Sequence, residues 1–296
     1  MTGEVAAGIG GKLASVGLDP AMVASFAAAA LREDLAGGTD VTTVATVPAG
    51  GRGSGDLVAR TPGVVAGLPV AEAVFAVASA DLDCVELAAD GDQVGAGQPV
   101  LSVTGPIRAI LTAERTALNV LCHLSGVATQ TRRWVDAVAG TSAVIRDTRK
   151  TTPGLRTLEK YAVRCGGGVN HRMSLSDAAL IKDNHVAAAG SVARAFAAVR
   201  AQAPELPLEV ECDTLEQVAE ALAAGADLIL LDNFTVADMA AAVRLAGGRA
   251  LLEASGGLTL ASARAVAETG VDYLAVGALT HSAPALDIGL DLVPAG

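Results

Sequence analysis

The chain has 296 residues, 51% of them hydrophobic but only 2% aromatic, and a formal net charge of −11. That length favours one large barrel or two domains, and an aliphatic core suits helices packed on strands better than an all-β sandwich. The acidic balance disfavours nucleic acid and anionic membranes as partners. No window reaches the roughly 18 apolar residues of a membrane helix, and the start, with Glu4 and scattered glycines, is not a signal peptide. Cys84, Cys122, Cys165 and Cys212 lie far apart without a CxxC pair, which reads as reduced cytoplasmic thiols and not as a disulfide frame or zinc site.

Residues 1–37 read as helix, with Pro20 near a start, an alanine-rich run up to Leu35, and Gly37-Gly38 as the stop. Short β-rich runs broken by glycine and proline follow at 55–60, 64–66, 84–87 and 99–103, with a helical stretch at 70–80. They predict a small α+β domain with an antiparallel sheet. Residues 90–101 have the glycine turn of biotinyl and lipoyl carrier hairpins, but a carrier needs an exposed lysine and none occurs between Lys12 and Lys150. A plain tight turn is the reading. Residues 107–139 form a long helical segment, with Gly126 as a candidate break and domain boundary. His123 and Trp134 on it read as structural.

The second half alternates apolar β-rich runs (143–147, 179–182, 208–212, 228–232, 250–255 and 273–277) with helical ones such as 214–224, 236–246 and 260–268. Most of these helices follow a Thr or Ser placed as a cap. Strand ends at Glu211, Asp232, Ser255 and Gly277 recur about every 22 residues, which predicts a parallel (β/α) barrel or open sheet covered on both faces. Each strand runs into polar groups or glycine. Thr148, Arg149 and Lys150 follow the first, Lys182 the second, and Glu211 and Asp232 end the third and fourth. Ser255-Gly256-Gly257 and Val276-Gly277-Ala278, with His281 beyond, close the last two. Side chains alternate across a strand, so Glu209 and Glu211 share a face, and in barrels such carboxyl ends converge on the active site. Buried charges are costly unless paired, so six polar strand ends in a row mark a site.

Arg149, Lys150, Arg172 and Lys182 suit carboxylates and phosphates, and an arginine can hold a carboxylate through two parallel bonds. Glu211 and Asp232 are hard oxygen donors for Mg²⁺ or acceptors for sugar hydroxyls. The glycine pairs let backbone N–H groups approach a phosphate. His171 and His281 are placed to meet substrate anions, while His185 stays unassigned. Together these residues imply a phosphorylated sugar bound beside a carboxylate. A lyase using Lys182 as a Schiff base and a non-catalytic ligand-binding barrel are the other readings.

Taken in chain order, the segments LREDL (31–35) with DVTT (40–43), AERTALN (113–119), DTRKTTPGLR (147–156), GGGVNHR (166–172), LIKDNH (180–185), EVE (209–211), Asp232-Asn233, EASGG (253–257) and Val276-Gly277 resemble the quinolinate phosphoribosyltransferases over nearly the whole chain. The resemblance implies an N-terminal α/β sandwich domain over 1–125, joined by 284–296, and an incomplete (β/α) barrel of about six parallel strands over 126–283. It implies transfer of phosphoribosyl from phosphoribosyl pyrophosphate to quinolinate with decarboxylation, in a cytoplasmic homodimer with shared sites. Arg115 of the partner subunit, Arg149, His171, Arg172 and Lys182 would hold quinolinate. Lys150, Glu211 and Asp232 would face the pyrophosphoryl ribose and Mg²⁺, and Ser255, Gly256, Gly277 and His281 the 5′-phosphate. A nicotinate or nicotinamide transferase without decarboxylation is the nearest alternative.

Overall fold

The computed structural model describes residues 7–294 and divides into two units. The first takes the described residues up to Gln130, Thr157–Gly166 and those from Ala283 onward; the second takes Thr131–Arg156 and Gly167–Ser282. The expected boundary at 125/126 had placed residues 157–166 in the barrel, whereas they count with the first unit.

In the first unit the helix expected over 1–37 is two helices, α1 (Ala7–Ser15) and α2 (Pro20–Leu35), bent by 113°. Residues 1–6 of that expectation lie outside the described residues. The bend follows from a local start signal: the Asp19 side chain accepts the Ala21 N–H, and Pro20 opens α2 where a missing N–H does no harm. Ala36, at φ 47°, closes it. An unanticipated helix, α3 (Val41–Thr46), starts where Asp40 accepts the Thr43 N–H. Then come β1 (Arg52–Ala59), β2 (Gly63–Val64), α4 (Leu68–Ala78), β3 (Asp83–Glu86), β4 (Gln93–Val94) and β5 (Pro99–Pro106). The long helix α5 (Ile107–Ala137) does not break at Gly126. Glycine stands there for room, since a Cβ would lie 2.2 Å from the Pro284 carbonyl oxygen.

The second unit opens with β6 (Val144–Arg146). Helix α6 (Arg156–Cys165) returns to the first unit, where Tyr161 donates to Asp90. The alternation then runs β7 (Ala179–Ile181), α7 (Asp183–Ala189), α8 (Val192–Gln202), β8 (Leu208–Cys212), α9 (Leu215–Ala223), β9 (Leu228–Asp232), α10 (Val236–Ala246), β10 (Leu251–Ser255), α11 (Leu260–Ala267), β11 (Tyr273–Ala275) and α12 (Ala278–His281). Thr214, Thr235 and Thr259 cap α9, α10 and α11, each accepting a main-chain N–H three residues on. The six strands pair in parallel in the order β6-β11-β10-β9-β8-β7, so the first strand lies beside the last. Between β6 and β7 the ring stays open, apart from a parallel bridge of Val169 to Arg146. This is an incomplete barrel.

The chain ends in β12 (Ile288–Pro294), which pairs antiparallel with β1 and completes a four-stranded sheet, β12-β1-β5-β3, in the first unit. No single helix among the described residues is long and apolar enough to cross a membrane.

Candidate active site

The carboxyl ends of the barrel strands enclose a cavity of about 390 Å³. Nine of the residues expected at the site line it: Thr148, Arg149, Lys150, His171, Arg172, Lys182, Glu211, Asp232 and Ser255. Their convergence follows from the registers. Glu211 sits opposite Leu230 and Asp232 opposite Ser255, so acids from neighbouring strands face one space. Cations predominate on the other side. The buried Arg149 Nε has no hydrogen-bond partner among the described residues. Burial, and then the Arg149 cation beside it, pull Arg172 below the usual guanidinium range. Asp177 and Glu209 offset this only in part, and neither arginine makes an ion pair among the described residues, so the cavity wall keeps an excess of positive charge here. Lys182 is not idle, since its Nζ donates to Glu211 Oε2 at 2.5 Å. His185 accepts the Lys182 main-chain N–H through Nδ1 at 2.9 Å, which sets the start of α7.

One step toward the strands' amino ends lies a charged layer of the buried Glu209 and Glu253 and the partly exposed Arg146, with His171 reaching into it. Arg146 Nη1 donates to Glu253 Oε2 at 2.7 Å, and His171 Nε2 meets Glu209 Oε2 at 2.7 Å. Burial pushes both glutamates up to about 7. For Glu253 the nearby Glu209 charge adds to this, while Arg146, and His171 whenever its ring carries two protons, oppose it. The stability consequence has a definite sign. Glu253 keeps a proton in the fold between its ordinary 4.5 and about 7, whereas the unfolded chain has released it. Stability from this group is therefore full below pH 4.5 and is lost as pH rises to about 7, a slope on the order of 1–3 kcal/mol in total. Glu253→Gln should flatten that slope in thermal unfolding; an unchanged slope would show that Glu253 is ionised throughout.

The chain's two halves match two family models, the quinolinate phosphoribosyl transferase N-terminal domain over residues 40–125 and C-terminal domain over residues 127–291. The chain belongs to the quinolinate phosphoribosyl transferase family. It is 59% identical over 270 residues to a nicotinate-nucleotide pyrophosphorylase (carboxylating) of Mycobacterium leprae, covering 89% of this chain and 94% of that one. A probable enzyme of the same name from Synechocystis is 44% identical, covering 82% and 83% of the two chains. Among solved structures, NadC from Streptococcus pyogenes superposes with a TM-score of 0.90 at 42% identity, over 94% of this chain and 99% of that one.

In this member of the family, seven expected residues do not line the cavity: Arg115, Gly256, Gly257, Val276, Gly277, Ala278 and His281. Most of them lie at its edge by chain position. Gly256, at φ +84°, leaves no room for a side chain, since a Cβ would lie 2.2 Å from Asn233 Oδ1. At Gly277 a Cβ would come within 3.0 Å of Lys150 Cδ and 3.2 Å of His281 Nε2, so these three residues meet. Arg115 is exposed on α5, in the first unit, and makes no ion pair or hydrogen bond among the described residues. Arg146 and Glu253 were not singled out from sequence. The signal was available for Glu253, which sits two residues before Ser255 on the same face of β10, while Arg146 ends β6 just before the predicted Thr148, Arg149 and Lys150. For Mg²⁺ the donor set fits, with two carboxylates, Glu211 and Asp232, lining one cavity from adjacent strands. Burial pushes the thiols of Cys84, Cys165 and Cys212 up to about 12, which favours the protonated form at neutral pH over the reactive thiolate.

Proposed function

We propose that the chain transfers the phosphoribosyl group of phosphoribosyl pyrophosphate to quinolinate and releases pyrophosphate and CO₂, leaving nicotinate mononucleotide. The observation that carries this reading is the pair Arg149 and Arg172, which line the barrel cavity together and make no ion pair among the described residues, in a member of this family. A dicarboxylate supplies the charge this pair lacks, and a bidentate arginine contact orients the ring as well as holding it. A monocarboxylate such as nicotinate would leave part of the cationic set unpaired. The Schiff-base alternative loses ground because Lys182 Nζ is engaged by Glu211 Oε2 instead of standing clear to attack a carbonyl.

Arg149, Arg172 and Lys182 hold the quinolinate carboxylates, joined by Arg115 of a second copy in a homodimer. Lys150 faces the pyrophosphate, and Glu211 and Asp232 face the ribose, where their negative charge offsets the oxocarbenium character that develops as pyrophosphate departs. Glu211 and Asp232 would also hold Mg²⁺, directly or through water, which supplies charge neutralisation of the leaving group when bound. Ser255, Gly256, Gly257, Val276, Gly277, Ala278 and His281 cradle the 5′-phosphate with main-chain N–H groups and short side chains. Attack by the ring nitrogen makes a pyridinium, that positive charge stabilises the carbanion left by CO₂, and the carbanion takes a proton from water to give the C–H of nicotinate mononucleotide. The protein's part is positioning and charge placement.

The test is CO₂ release from quinolinate with phosphoribosyl pyrophosphate and Mg²⁺. Release at one CO₂ per pyrophosphate is expected, with none from nicotinate. Glu211→Ala and Asp232→Ala should lose turnover more than quinolinate affinity. Full activity in excess chelator removes the metal from the reading, and turnover of nicotinate at a comparable rate removes the decarboxylation.

A further inference from the structure

Arg146 and Glu209 lie below the groups assigned to substrate, His171 and Glu253 reach the cavity wall, and the hydrogen bonds among the four decide where the His171 ring proton sits. Nδ1 accepts the Arg172 main-chain N–H at 2.6 Å, so it presents a lone pair. Nε2 faces two carboxylates, Glu209 Oε2 at 2.7 Å and Glu253 Oε1 at 3.7 Å, so it carries the proton. An imidazolium would set an Nδ1–H against the Arg172 N–H, donor to donor. Arg146 holds Glu253 from the other side. Asp147, itself fully buried, accepts the His171 main-chain N–H at 2.8 Å and the Asn170 side chain at 2.6 Å. The segment that delivers Arg172 to the cavity is thus tied down at successive residues.

We propose that Glu209, with Glu253 and Arg146 behind it, is a positioning residue that fixes His171 as the neutral Nε2–H imidazole, so that His171 braces the main chain of Arg172 and offers the substrate no positive charge. This changes the role expected of His171, that of holding the quinolinate carboxylates with the arginines and Lys182. The substrate's charge is left to Arg149, Arg172 and Lys182. A metal ion is the competing occupant, because the ligand atoms of His171, Glu209 and Glu253 lie within 4.8 Å of one another. A divalent ion would need the Nε2 lone pair, so the position of the ring proton separates the two.

Nitrogen NMR of the full chain labelled at histidine reads that proton directly, with the His171 signals assigned by their loss in His171→Asn. At about pH 7.5 the expected state is a single ring proton, on Nε2, unchanged by chelator. In Glu209→Gln the amide oxygen still accepts, so the tautomer and the KM for quinolinate stay near native. Glu209→Leu should lose the Nε2–H preference and raise that KM about tenfold with a smaller change in kcat, as expected for one lost hydrogen bond that orients a binding arginine. A proton on Nδ1, protons on both nitrogens, or metal on Nε2 overturns the proposal. So does a folded Glu209→Leu protein with both tautomer and KM unchanged. If Glu209→Leu does not fold, the native tautomer and Glu209→Gln decide. Only the KM arm rests on quinolinate as substrate. A chain with the expected tautomer but no turnover of quinolinate leaves this assignment standing and sinks the substrate reading instead.

Discussion

Mixing Arg115→Ala subunits with Lys150→Ala subunits, each inactive alone, should restore activity toward half the native value per mixed dimer. Lys150 lines the barrel cavity, and Arg115 does not. Arg115 stands exposed on a 31-residue helix, with neither Glu114 nor any other acid among the described residues as an ion-pair partner. An arginine held in a surface pair would contribute little and could be removed harmlessly. A bare one on a rigid helix is suited to a charge on another molecule. In a two-fold dimer the same patch is used twice, so a helix that reaches the neighbouring cavity does so reciprocally. If Arg115 acts across the interface, one cavity of the mixed dimer carries both lesions and the other carries neither. Mixed dimers that form and stay inactive would place Arg115 within its own subunit's site. Retention of activity by Arg115→Ala alone would remove it from the site altogether.

Arg172→Ala should weaken quinolinate binding by about 100-fold or more while changing phosphoribosyl pyrophosphate affinity by less than about threefold, since a buried charge-assisted pair broken on one side costs roughly 2–5 kcal/mol. Its guanidinium is partly buried and positioned by the Ala178 carbonyl, which accepts from Nη1 at 2.9 Å, so little ordering remains to be lost on binding. Lys182→Ala should do less, about tenfold, because the lysine side chain is 47% exposed and screened by solvent. Its removal also leaves the Glu211 carboxylate without its cation near the substrate's own negative charge, which adds to the loss. Calorimetric titration with each substrate separates these effects. Unchanged quinolinate affinity in both variants would take the two cations out of the carboxylate site.

The barrel was legible in the sequence because each strand and helix carries its own signal. The runs 208–212 and 228–232 match β8 and β9 residue for residue, and the threonines before the helices cap them as read. The polar strand ends were legible for the same reason, since alternation along a strand assigns a face without knowledge of its neighbours. What failed was whatever depends on a distant contact. Gly126 reads as a helix break until Pro284 is seen lying against it. Residues 157–166 follow barrel strand β6 and precede β7, yet they pack in the other unit, where Tyr161 reaches Asp90.

The sequence by itself determined which residues carry charge, which strand faces they occupy, and the family to which those motifs point. Only the tertiary structure decided how those charges are spent. It paired Lys182 with Glu211, left Arg149 and Arg172 side by side, and turned His171 inward onto Glu209. The physical reason is range. Propensity, capping and alternation act over a few residues, whereas an ion pair or a ring tautomer is set by groups brought together from 29 or 38 positions away in the chain.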